Sequence, residues 1–102
     1  MFTRNVHLQL KPNTATQFTQ TLEKDVIPLL RKQPGFKEEI AFIVGNDAYA
    51  MSFWESKEKA EQYGRTGYPD VLKALGNVIQ GTPEVQSYDV CSSTIPKLAS
   101  RA

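Results

Sequence analysis

The stretch from Gln33 to Tyr63, QPGFKEEIAFIVGNDAYAMSFWESKEKAEQY, limits what this chain can fold into more than any other. Two apolar runs within it, Ile40 to Val44 and Ala48 to Trp54, carry no charged residue and flank the reversal Gly45-Asn46-Asp47. They read as the strands of a hairpin. A hairpin wetted on one side alternates apolar and polar residues, whereas these strands are apolar on both faces and need cover on both. The pairing parity stays open. An odd loop sets Phe42 opposite Ala50 and Ile43 opposite Tyr49; an even one puts Ile40, Phe42 and Val44 on a face with Tyr49, Met51 and Phe53.

Around this hairpin the periodicities supply the other elements. Phe2, Val6, Leu8 and Leu10 alternate with polar residues, the pattern of a strand with one apolar face that Arg4 interrupts. Lys11-Pro12-Asn13 stops it, and Thr14 with Gln17 resembles a capping box opening a helix. Phe18, Leu22, Val26, Leu29 and Leu30 form its stripe, Pro28 predicts a bend, and Pro34-Gly35 ends it. Ser56 caps a second helix that Gly64, Gly67 and Pro69 break into two pieces. The second piece carries Val71, Leu72, Leu75, Val78 and Ile79 and is expected to end at Gly81. Glu84 to Cys91 reads as the last strand, with Cys91 a small buried hydrophobe.

The order strand, helix, strand, strand, helix, strand is an α+β, ferredoxin-like β-α-β-β-α-β sandwich with an antiparallel four-stranded sheet. Its helices cover one face of the sheet, so the other face is expected to pair with a second copy, giving a homodimer and a dimeric α+β barrel. The 102 residues make a single domain, 1–102, in which 92–102 is a C-terminal tail. Its apolar handles, Ile95 and Leu98, either fray or lie on a partner.

A net charge of +1 gives no reason to expect nucleic acid or a membrane surface as partner, and no run approaches membrane-spanning length. No signal peptide is read at the amino terminus, and one cysteine forms no internal disulfide; both fit a cytoplasmic protein. One histidine and one cysteine, far apart in sequence, make no metal-ligand set, so no metal is expected. His7 stands on the polar face of the first strand beside Asn5, and an imidazole, which titrates near neutrality, suits proton transfer from an acidic phenol. It equally reads as a hydrogen-bonded structural histidine.

Three short segments carry a family resemblance. Gln33-Pro34-Gly35-Phe36 after an amphipathic helix, Trp54-Glu55-Ser56-Lys57-Glu58 at a strand end, and Thr82-Pro83-Glu84-Val85 before the last strand resemble antibiotic biosynthesis monooxygenase-like (ABM) domains of the dimeric α+β barrel superfamily. The resemblance spans Phe2 to about Leu98. It implies a homodimer with a pocket between sheet and helices, and a cofactor-independent monooxygenase acting on a small phenolic or quinol-like aromatic. No cofactor is implied. Trp54 matches a residue implicated in the oxygenase members, as pocket wall, stacking surface or N–H donor. Ala50 stands where quinone-forming relatives place an asparagine. Tyr63 falls where many relatives have a histidine, and haem-degrading relatives ligate iron through a histidine on the second helix, which has none here. The resulting assignment makes His7 and Trp54 catalytic and has Asn5, Tyr63, Tyr68 and Arg65 bind substrate. The alternative is a non-catalytic dimeric small-molecule-binding or regulatory domain of the same fold.

Overall fold

The computed structural model describes residues 1–98. β1 (Phe2–Leu10) leads through α1 (Ala15–Thr21), a π-helical turn (Leu22–Val26) and α2 (Ile27–Arg31) to β2 (Phe36–Val44) and β3 (Asp47–Trp54). α3 (Lys57–Thr66) and α4 (Tyr68–Leu75) follow, then β4 (Ile79–Asp89). The strands form one antiparallel sheet in the order β2-β3-β1-β4. The helices from α1 to α4, with the π-helical turn, pack on one face: Phe18, Leu22, Val26 and Leu30, with Ala60, Tyr63, Val71 and Leu75, meet Phe2, Val6, Leu8, Leu10, Ala48 and Trp54 in a single core. This is the ferredoxin-like arrangement that the element order predicts.

The hairpin takes the even option. Val44 pairs with Asp47, leaving Gly45-Asn46 as a two-residue loop with Gly45 at φ 60°, a conformation that glycine adopts without strain. Ile40 then pairs with Met51 and Phe42 with Tyr49, all on the face away from the helices. On that face Phe42 is 50% exposed, Val44 68% and Tyr49 43%, enough for a contiguous apolar patch rather than scattered residues.

Local details depart from the sequence reading for identifiable reasons. Thr14 does not form a capping box; its hydroxyl donates to the Lys11 carbonyl at 2.7 Å. Pro28, as expected, does not end the helix; what the sequence did not show is the π turn ahead of it, where Ile27 N–H reaches back five residues to Leu22 O and the widened turn absorbs the donor that proline lacks. The helix ahead of β4 stops at Leu75 rather than Gly81, because Gly76-Asn77 is a poor helix former and Ile79 pairs with Leu10. Gly81, at φ 72°, sits in the irregularity where the β1–β4 register shifts, a bulge position rather than a helix stop. β4 ends at Asp89, and Cys91 beyond it is exposed rather than buried.

Over its described part the tail is tied back to its own sheet. Val90 N–H bonds Met1 O at 3.0 Å, and the single turn Pro96–Leu98 reaches β2 at the opposite edge of the sheet from β4. Leu98 and Phe53 are both buried yet stand outside the helix-side core, so the tail crosses the open face at the Phe53 end. Residues 99–102 of the expected tail lie outside the described residues.

Gly35 fixes the corner before β2. It has φ 81°, and a Cβ there would stand 2.6 Å from Lys59 Cβ on α3. Gly35→Ala is therefore expected to cost about 2 kcal/mol, from left-handed strain plus a contact that α3 must move to relieve. Urea unfolding checks this; a loss below about 0.5 kcal/mol would show that the corner yields.

Candidate functional site

Between sheet and helices lies a cavity of about 40 Å³. Its floor follows from the strand register. Glu39 and Arg4 each pair with Ser52 from opposite sides, and Ala41 and Val6 each pair with Ala50, so two transverse rows run across β2, β3 and β1. The small residues Ser52 and Ala50 at the middle of these rows leave the space. Leu22, Val26, Leu30 and Val71 wall it from the helices, with Tyr63 and Tyr68 at one end.

Arg4, which breaks the apolar alternation of β1, points into this cavity. It is buried, and its Cζ lies 4.4 Å from the Tyr68 ring centre and 5.2 Å from that of Tyr63, within cation–π range of both. Its Nη1 has no hydrogen-bond partner among the described residues. The same is true of the buried Oε2 of Glu39. No ion pair joins the two residues. Burial pushes the Glu39 carboxyl above its ordinary range. Burial likewise raises both tyrosines, with the Arg4 charge opposing it. An unpaired guanidinium and an unpaired carboxyl in an oily cavity are costly to the fold, the pattern of groups kept for a ligand.

Trp54 sits behind this end. It is fully buried, stacks on Tyr63 with centroids 4.7 Å apart, meets Phe36 edge-on at 5.6 Å, and donates Nε1–H to Ser52 Oγ at 2.8 Å. Its N–H is thus engaged with Ser52, and the indole backs Tyr63 without itself lining the cavity. The structure brings Tyr63 and Tyr68 together with Trp54 and does not bring the other candidates to them. Odd-numbered β1 residues face away from the helices, so Asn5 and His7 lie on the open face. There His7 Nε2 bonds Asp47 Oδ1 at 2.9 Å and its ring stacks on Tyr49 at 4.7 Å, while Asn5 Oδ1 accepts from Thr3 Oγ1 at 2.9 Å. Arg65 is exposed near the end of α3. Arg4 and Glu39 are the cavity residues that sequence reasoning passed over; the signal was a charge on the apolar side of a strand.

The raised Glu39 carboxyl has a stability consequence. The native chain holds that proton more tightly than the unfolded chain, so stability falls as pH rises from the ordinary 4.5 through the raised value, and the whole cost is present above it. Glu39→Gln is expected to raise the urea midpoint at pH 7, with the gain vanishing below about pH 4, where the carboxyl is protonated in both states. Urea midpoints at both pH values test this; an equal gain at both would remove ionisation as the cause.

No family model matches the chain, and neither does any curated protein sequence. Solved structures do. A protein of unknown function from Nitrosomonas europaea superposes with a TM-score of 0.77 at 14% identity, covering 93% of each chain. The ActVA-Orf6 monooxygenase of Streptomyces coelicolor, solved with nanaomycin D, gives 0.75 at 18% identity over 93% of this chain and 91% of its own. SnoaB, a cofactor-independent oxygenase from Streptomyces nogalater, gives 0.72 at 14% identity over 92% and 96%. This chain thus has the fold of proteins described as antibiotic biosynthesis monooxygenases.

Proposed function

We propose that the protein is a cofactor-independent monooxygenase acting on a small phenolic or quinol-like aromatic, working as a cytoplasmic homodimer. The observation that carries this reading is the pair of unpartnered buried groups, Arg4 Nη1 and Glu39 Oε2, in a cavity ended by two tyrosine rings. Aromatic walls hold a ring, the cation steadies negative charge that develops on its oxygen, and a carbanion so formed reacts directly with oxygen. For a ring carbon bearing two hydrogens, CH₂ plus O₂ gives C=O plus water, with all electrons from the substrate. Tyr63 and Tyr68 bind the ring and Trp54 holds Tyr63 in place. The likeness of fold to SnoaB and ActVA-Orf6 supports the reaction class. The apolar patch of Phe42, Val44 and Tyr49 supports the homodimer, in which Asn5 and His7 sit between subunits.

The cavity's size sets the substrate's. At about 40 Å³ it is far below the several hundred Å³ typical of pockets for drug-sized ligands, and below the roughly 150 Å³ of a cavity that takes benzene, so one ring is the largest guest it can take and enters only when the half-buried Leu72 and Tyr68 move aside. The same smallness favours the second reading, a non-catalytic dimeric binding domain. Oxygen uptake decides between them. Hydroquinones, naphthols and anthrones, offered in order of size, are expected to consume one O₂ per molecule, fastest with the smallest. Arg4→Met should lower kcat/KM about 100-fold. No uptake with any member of the panel would leave the binding domain standing.

A further inference from the structure

Resting on the reading above, we propose that Arg4 and Glu39 act jointly on one phenolic oxygen: Arg4 holds the oxygen as its anion, and Glu39 takes its proton. The geometry assigns these roles. The two residues flank Ser52 on the outer strands of one row, so their backbones stand about 10 Å apart and their side chains enter the cavity from opposite sides. Each presents a buried polar atom that nothing among the described residues satisfies, one a donor and the other an acceptor. The smallest group that completes both is a hydroxyl, whose oxygen accepts from Nη1 while its hydrogen goes to Oε2. Water can do this, but the apolar walls and the rings of Tyr63 and Tyr68 make the rest of the space suited to an arene.

Chemistry narrows the class further. A carboxylate ligand would meet Arg4 and be repelled by Glu39. An aliphatic alcohol would satisfy both but is too weak an acid to give up its proton. A phenol or enol fits both demands: ArOH and the Glu39 carboxylate become ArO⁻ and the Glu39 carboxylic acid, with the anion facing Arg4 and no net change of charge. Burial, which raises the Glu39 carboxyl towards the range of an acidic phenol, eases this exchange.

The probe is 4-nitrophenol, one ring, whose phenolate absorbs at longer wavelength than the neutral dye. It is titrated into the intact protein roughly one unit below the dye's own pKa, with absorbance and net proton release both recorded. The wild type is expected to show the phenolate band at least roughly fivefold more strongly than the free dye does, against a ceiling of about elevenfold at this pH, while releasing no proton to the buffer. Glu39→Gln should keep the band and release about one proton per dye bound. Arg4→Met should bind the dye in its neutral form, and Arg4→Lys should restore the phenolate band. If Arg4→Met does not fold, Arg4→Gln replaces it. Neutral dye bound to the wild type, no binding, an unchanged band without the Arg4 charge, or no proton release from Glu39→Gln would each overturn the assignment. Phenolate bound to the wild type with no oxygen uptake from any quinol would instead overturn the oxygenase reading and leave this one in place.

Discussion

Trp54→Ala is expected to cost about 4 kcal/mol of folding stability, a large share of the roughly 5–15 kcal/mol that domains of this kind possess. The indole is fully buried at the point where β3 hands over to α3 and touches three supports at once: Phe36 on its edge, Tyr63 on its face and Ser52 Oγ at its N–H. Its removal leaves a cavity, takes from Ser52 Oγ the donor it accepts from, and frees Tyr63 from its backing ring. Because Tyr63 carries one of the two aromatic faces on Arg4, the loss reaches the cavity. Trp54→Phe keeps the ring and loses the hydrogen bond, so it should cost about 1–2 kcal/mol. Trp54 is the only tryptophan, so unfolding is followed by circular dichroism. A loss under about 1 kcal/mol for the alanine variant would contradict this account of the corner.

The second large effect concerns assembly. Phe42 and Tyr49 face each other across β2 and β3 on the side of the sheet that no helix covers. In a two-fold dimer each patch meets its own copy, so a charge placed there meets the same charge. Phe42→Glu with Tyr49→Glu is expected to weaken the proposed dimer at least 100-fold, about 3 kcal/mol, while the helix-side core stays intact. Sedimentation velocity across a concentration series measures it. A wild type that sediments as a monomer at micromolar concentration, or a double variant that dimerises as well as the wild type, would remove the dimer from the proposal.

Element order was legible because it rests on local periodicity: the alternation of β1, the stripe of Phe18, Leu22 and Val26, and the stop at Pro34-Gly35. The hairpin register was not. With both of its faces apolar, the pattern carries no parity, and only the two-residue loop decides which side Phe42 joins. The start of β4 was hidden because Val78 and Ile79 suit a helix stripe as well as a strand, and the pairing of Ile79 with Leu10 is a long-range choice. The site was harder still. Tyr63 and Tyr68 stood out as aromatic residues at a glycine-rich break. Arg4 read as a blemish in a strand and Glu39 lay just outside the apolar run from Ile40, because their meaning depends on both aligning with Ser52, which no local pattern encodes. His7 stood out for its rarity, and the pleat carries it to the other side of the sheet from the cavity.

The reversal at Gly45-Asn46 has a consequence for how such chains can vary. One residue more or fewer in it would turn every later β3 side chain through the sheet, putting Tyr49 and Met51 among the helices and Ala50 and Ser52 in the open. Natural length changes at this tip should therefore come in twos, or bring a compensating bulge, and a library of insertions should show survival alternating with count.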